Sequence, residues 1–263
     1  MANGSCNNCG HCASKNTAAA SNIVHIGAAR ISARLGVGSA GVPDGMAGKI
    51  DHTLLKPEAT REQLIKLCDE ARKYNFATCC VNSANIPLVA RELRGSSVLP
   101  IAVVGFPLGA GTPQSKSFEA KEAIRAGAKE IDMVINIGEL KSRNHKLVFE
   151  DIKAVVDASA PLKVKVIIET SALDHDEKVA ACVLSKAANA AFVKTSTGFG
   201  KGGATVDDIM LMRNIVGHDM EVKASGGIKN RDDAEKMVEV GADRLGCSAG
   251  VAILTGKTAK SSY

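Results

Sequence analysis

Short apolar runs alternate with amphipathic stretches along most of this chain. The runs "KIDHTLL" (49–55), "FATCCVN" (76–82), "LPIAVVGF" (99–106) and "EIDMVINIG" (130–138) read as β-strands. So do "LKVKVIIET" (162–170), "AFVKTS" (191–196), "EVKASGG" (221–227) and "DRLGCSAG" (243–250). Between them, apolar residues recur at helical spacing. Thr60-x-x-Gln63 forms a capping box ahead of a stripe made by Leu64, Leu67, Cys68 and Ala71. Helical stretches follow from about Ala84 to Arg94, up to Gly127, and near 147–157. Asp174-x-x-Glu177 caps a helix predicted to bury Val179, Cys182 and Val183. Thr205 opens one carrying Ile209, Met212 and Val216, and another bears Ala234, Met237 and Val238 before Gly241.

Strand and helix exchange at intervals of about 20 to 30 residues, which predicts parallel strands joined by crossover helices. Eight such units in about 215 residues favour a (β/α)8 TIM barrel, an α/β fold with an N-terminal extension here. An open doubly wound sheet is the alternative. It would more often place a Gly-x-Gly-x-x-Gly turn after the first strand, where this chain has Asp51-His52-Thr53. The predicted organisation is an extension over 1–46 and a barrel domain over 47–263 that ends in a flexible tail. Within the extension, 1 to about 20 reads as a mobile segment and 21–35 as a short amphipathic helix. "GVGSAGVPDGMAG" reads as a linker.

Composition narrows the function classes. The 263 residues are 45% apolar and 23% charged, as in ordinary globular proteins. Aromatic residues make up 3% and Trp is absent, which argues against stacking platforms for nucleic acid. The net charge of +5, with no basic block, suits phosphorylated small molecules better. No apolar run is long enough to span a membrane, and the start lacks a secretory pattern. Of the eight cysteines, Cys68, Cys79, Cys80, Cys182 and Cys247 lie in apolar contexts and read as reduced core residues, so the cytoplasm is the expected location.

Polar residues interrupt the predicted strands near their carboxyl ends, where a barrel gathers reactive groups. They include Asp51, His52 and Thr53, Asn82, Asp132 and Asn136, Glu169 and Thr170, Lys194 and Thr195, Lys223 and Ser225, and Ser248. One buried ion pair would be unremarkable structure. Two lysines and two aspartates converging on one mouth point to catalysis instead. A lysine attacks a carbonyl only as its free amine, against a reference pKa of about 10.4. Two cations about 5 Å apart, at an effective dielectric near 20, repel by about 3 kcal/mol and lower one pKa by roughly two units. One lysine can therefore activate its neighbour for Schiff-base formation, with a carboxylate moving protons. Lys194, Lys223 and Asp132 form such a set, and either lysine could be the nucleophile by this reasoning. Gly198, Gly226-Gly227 and Gly246-Cys247-Ser248 supply the glycine-bearing turns that suit a phosphate.

These segments resemble the deoxyribose-phosphate aldolases, metal-free class I aldolases. The matching motifs are "IDHTLLKP" (50–57), "VVGFPLG" (103–109), "EIDMVINIG" (130–138), "KVIIET" (165–170), "FVKTSTGF" (192–199) and "VKASGGI" (222–228), in family order. The resemblance implies reversible cleavage of 2-deoxy-D-ribose 5-phosphate to acetaldehyde and D-glyceraldehyde 3-phosphate, without a cofactor. It implies Lys194 as the Schiff-base lysine, Asp132 as the proton donor and acceptor, Lys223 as the tuning cation and Asp51 as its orienting partner. Thr197 would lie near the sugar's hydroxyls, while Gly227, Gly246 and Ser248 would hold the phosphate. Two positions depart from the family: Gly-Cys-Ser-Ala replaces a frequent pair of serines, and Phe199 stands where some relatives have lysine. Tyr263 resembles the terminal tyrosine of a flexible tail that can reach the site in some relatives, which would give it a part in proton transfer, with a frayed tail as the alternative. A homo-oligomer is also expected.

The extension is additional to short family members. Cys6, Cys9 and Cys12 share a ferredoxin-like spacing, but no fourth cysteine follows, and a zinc site would need His11 or another chain. A redox-sensitive segment is expected ahead of metal binding. Residues 21–35 and their linker resemble peptides that direct enzymes to the shell of bacterial microcompartments, with an extra helix covering the barrel bottom or a dimer interface as the alternative.

Overall fold

A computed structural model describes residues 45–258. A single 3-10 turn, Ala47–Lys49, leads into β1 (Ile50–Leu54), followed by α1 (Arg61–Tyr74), β2 (Thr78–Asn82) and α2 (Ile86–Glu92). Next come β3 (Leu99–Val104), α3 (Pro113–Arg125), β4 (Glu130–Val134), α4 (Ile137–Lys141) and α5 (His145–Ser159). The chain continues with β5 (Lys163–Ile167), α6 (His175–Ala187), β6 (Phe192–Lys194), α7 (Val206–Val216), β7 (Glu221–Ser225), α8 (Arg231–Glu239), β8 (Arg244–Cys247) and α9 (Gly250–Thr255). The eight strands pair in chain order and β8 closes on β1, every pairing parallel. This is the (β/α)8 barrel that the alternation predicts, and the open sheet is excluded.

Local chemistry accounts for the helix starts. Both predicted capping boxes form: Thr60 and Gln63 cap α1 reciprocally, and Asp174 and Glu177 do the same for α6. Thr205 caps α7, whose Ile209, Met212 and Val216 are fully buried; each such side chain contributes about 1.5–3 kcal/mol through burial. The main core lies between the strands and the helix ring, and Met46 packs into it.

Three local expectations change. Val183 is 51% exposed, and α6 buries Ala181, Cys182 and Ser185 instead, because each residue turns about 100° along a helix. The stretch from Ala84 splits into a 3-10 turn (Ser83–Asn85) and the shorter α2, with Pro87 in the first turn of α2. The sequence reading also passed over α4, five residues long and capped by Asn136.

The inside of the barrel is divided. Cys80, Ile101 and Val103, with Leu55 and Phe106, make a small apolar cluster on the β1–β3 side. Charged side chains fill much of the rest. Among the described residues, no helix is long and apolar enough to cross a membrane. Cys6, Cys9, Cys12, His11, residues 21–35 and Tyr263 lie outside the described residues, so the expectations made for them rest on sequence alone.

Candidate active site

The parallel register brings the predicted residues together. Lys194 on β6 is the partner of Lys223 on β7, and Asp132 on β4 is the partner of Lys165 on β5. Lys194 Nζ and Lys223 Nζ donate to the same oxygen, Asp132 Oδ2, at 2.8 and 2.7 Å. Sharing one acceptor keeps the two nitrogens within two hydrogen-bond lengths of each other. Lys223 Nζ also ion-pairs with Asp51 Oδ2 at 2.5 Å. Asp51, Asp132 and Lys223 have no solvent exposure, and Lys194 only 2%.

The strand-end picture needs one correction. Only Lys194 ends its strand; Asp51, Asp132 and Lys223 sit inside theirs, below the mouth. His52 does not join the group. Strand alternation turns it outward, where its Nε2 meets Glu70 Oε2 of α1 at 2.8 Å. Asn136 caps α4, and Thr195 clips β6 to β7 by donating to Ser225 O and accepting from Ser225 N.

Burial depresses the proton affinity of Lys194 below the ordinary lysine range, the nearby Lys223 adding to this and Asp132 partly opposing it. Burial works against the charge on Lys223 too, but Asp132 and Asp51 outweigh it and hold this lysine above its usual range. The two lysines thus differ sharply in environment, a distinction the sequence reading left open. Lys194 is the one poised to become a free amine. Asp132 stays far below the usual carboxylate range despite burial, because Lys165, Lys194 and Lys223 surround it. Cys80 faces the same space, yet burial pushes its thiol up to about 11, so it remains a protonated, weakly nucleophilic wall.

Three residues of the site escaped the sequence reading, and a fourth was read only as a polar strand end. Lys165 Nζ donates to Asp132 Oδ1 at 3.0 Å and to Glu130 Oε2. Arg244 Nη1 donates to Asp51 Oδ1 at 2.8 Å and lies 3.5 Å from Glu130 Oε2. Glu169, the fourth, sits in the left-handed region at φ 55° and is buried. It accepts from Thr197 N at 3.1 Å and from Thr197 Oγ1 at 2.5 Å. Thr197 Oγ1 in turn accepts from Phe199 N at 3.0 Å. Its proton is committed to Glu169, so toward a ligand hydroxyl it can only accept. Sliding "EIDMV" against "KVKVI" would have found Lys165 beside Asp132; nothing in the local pattern marks Glu169 or Arg244.

The glycines differ in what they do. Gly226 and Gly227 have φ near +84° and +81°, and a Cβ on Gly227 would meet no atom within 4 Å. Gly227 therefore lines open space, as an approach site for a ligand requires. Gly246 lies within β8, where a Cβ would come 2.9 Å from Lys223 Cε and 3.0 Å from Ser225 Cβ. Its bareness makes room for the Lys223 stem. The Gly246→Ala variant is expected to lose about 1–3 kcal/mol of stability in urea melts, and activity with it, because Lys223 is pinned at its far end by two carboxylates. Gly198, with φ +86°, turns the chain after Thr197, and half-buried Ser248 sits between β8 and α9. Phe199 stacks edge-on against Phe106 at 5.3 Å, on the chain segment that follows β6. Among the described residues, no group of three or more His, Cys, Asp or Glu could hold a metal ion.

Known proteins are similar to this chain over the whole barrel. The family described as DeoC/LacD family aldolase matches residues 46–256. A deoxyribose-phosphate aldolase of Streptococcus gordonii is 58% identical over 214 residues, covering 81% of this chain and 97% of the relative. One from Macrococcus caseolyticus is 56% identical over 218 residues, 83% of this chain and 99% of its own length. Among solved structures, the tetrameric deoxyribose phosphate aldolase of Aeropyrum pernix superposes with a TM-score of 0.76 at 32% identity. That match covers 84% of this chain and 94% of the other.

Proposed function

The chain belongs to the DeoC/LacD family of aldolases, and from that premise we infer that it cleaves 2-deoxy-D-ribose 5-phosphate reversibly through a Schiff base on Lys194. The observation that carries the reading is the single carboxylate oxygen of Asp132 shared by two buried lysines of opposite tendency. Lys194, as the free amine, adds to the C1 aldehyde and expels water to form an imine. Asp132 accepts the proton of the C3 hydroxyl as the C2–C3 bond breaks. Glyceraldehyde 3-phosphate leaves, and an enamine of acetaldehyde stays on Lys194. Protonation of that enamine at C2 and hydrolysis of the imine release acetaldehyde and restore the amine.

Lys223 stays charged throughout and favours the neutral form of Lys194, while Asp51 holds Lys223 in place. Thr197 accepts a hydrogen bond from a sugar hydroxyl. Gly198, Gly226, Gly227 and Ser248 form the wall where the phosphate sits, with backbone N–H groups of the turns as donors. The enzyme also works as an assembly of identical copies, by analogy with the Aeropyrum relative. Any delivery to a compartment shell falls to residues 21–35.

Incubation with acetaldehyde and borohydride, followed by peptide mass spectrometry, tests the chemistry. One reduced two-carbon adduct is expected, on the peptide bearing Lys194. An adduct on Lys223 would reverse the two roles, and no adduct at all would defeat the Schiff-base reading.

A further inference from the structure

The charged groups beneath the mouth form a closed ring. Asp132 meets Lys165, Lys165 meets Glu130, and Glu130 faces Arg244. Arg244 meets Asp51, Asp51 meets Lys223, and Lys223 returns to Asp132. The signs alternate around all six members. Three cations match three anions, and Lys194 hangs from Asp132 outside the balance. β1, β4, β5, β7 and β8 contribute the ring, β2 adds the Cys80 thiol, and β3 brings no titratable side chain. The floor is covered by Phe192, whose ring lies 5.3 Å from Lys165 Nζ and 5.5 Å from the Arg244 guanidinium carbon. Buried charges on that scale survive only when each finds an opposite partner.

We propose that Glu130 and Arg244 are positioning residues that close this ring from below and leave Lys194 as its one surplus cation. The inference rests on the Schiff-base reading and extends it to two side chains absent from the sequence-derived site. In a ring already neutral, the ammonium of Lys194 has no carboxylate of its own and only shares Asp132 Oδ2 with Lys223. Lys194 is then the ring's least compensated cation and the one that sheds its proton most readily, and its lowered proton affinity agrees with that. Changing the charge of a ring member that lies away from the reacting carbonyl must therefore move the pH at which Lys194 becomes reactive, in a direction fixed by the sign removed.

The test is the rate of acetaldehyde–borohydride trapping as a function of pH, in the full chain. Glu130→Gln keeps the shape and removes a negative charge. The rise of the rate with pH should move about one unit toward acid. Arg244→Gln removes a positive charge and should move it about one unit toward alkali. Arg244→Lys keeps the charge in a different shape and should leave the profile near that of the parent. Thermal melts identify any variant that does not fold, and the isosteric Glu130→Gln then decides alone. Opposite shifts support the ring. Shifts of the same sign, or a Glu130→Gln profile that superposes on the parent, overturn it. Should the parent itself give no adduct on Lys194, the Schiff-base reading fails instead, so the two failures are distinguishable.

Discussion

Replacing Lys194 by alanine is expected to lower turnover by at least about 10⁴-fold and to abolish borohydride trapping, with the fold retained. The size follows from what is lost. An ordinary lysine near neutral pH is a free amine in roughly one molecule in a few thousand, and each unit of lowered pKa recovers about tenfold. Lys194 combines this activation with a buried position at the carboxyl end of β6, in contact with Asp132. Lys223 stands beside it but remains charged, held by Asp51 and Asp132. It cannot substitute. The variant should fold because Lys194 lies outside the balanced ring, so its removal strands no ring carboxylate. Steady-state assays over a wide pH range and a urea melt check both halves. Residual activity within about tenfold of the parent would sink Lys194 as nucleophile.

Asp132→Asn is expected to lower kcat by about 10²–10⁴-fold, and in contrast to Lys194→Ala it should also destabilise the protein by about 3–5 kcal/mol. Asp132 is the hub of three lysines, accepting from Lys194 and Lys223 through one oxygen and from Lys165 through the other. An amide can accept at one end only, and its NH2 group would face an ammonium. The pH dependence of stability follows with a definite sign. The folded-state pKa of Asp132 is depressed, so its contribution is present above the ordinary carboxylate pKa and is lost as pH falls through the lower folded value. Acid unfolding of the parent should therefore begin below the usual carboxylate range. The asparagine variant, lacking this titration, should show a flatter dependence there. Chemical melts between neutral and acid pH check it, and a variant as stable as the parent would refute the hub.

Much of the site could be read from the chain because its residues contradict their surroundings. A lysine or aspartate in the middle of an apolar run is costly unless paired, so Lys194, Lys223, Asp51 and Asp132 were visible as exceptions. Lys165 was not, since "KVKV" alternates like a strand with one wet face. It is completely buried. Arg244 and Glu130 open their strands and so resembled ordinary polar flanks. Glu169 was noted as a polar strand end, but its grip on Thr197 depends on a left-handed backbone that no local motif announces. Gly246 was read as a phosphate contact from its neighbourhood in the chain, whereas its packing against Lys223 exists only once β7 and β8 lie side by side.

Sequence by itself determined the barrel: periodicity, capping residues and turn glycines act within a few residues and are legible wherever they occur. It also determined which charged groups had to find partners. Only the tertiary structure decided who those partners are, because strand register sets contacts between residues up to 193 positions apart, as for Arg244 and Asp51. It decided as well which lysine gives up its proton more readily, Lys194 rather than Lys223. Proton affinity depends on the summed field of neighbouring charges and on the water excluded around them, and both come into being when the sheet closes.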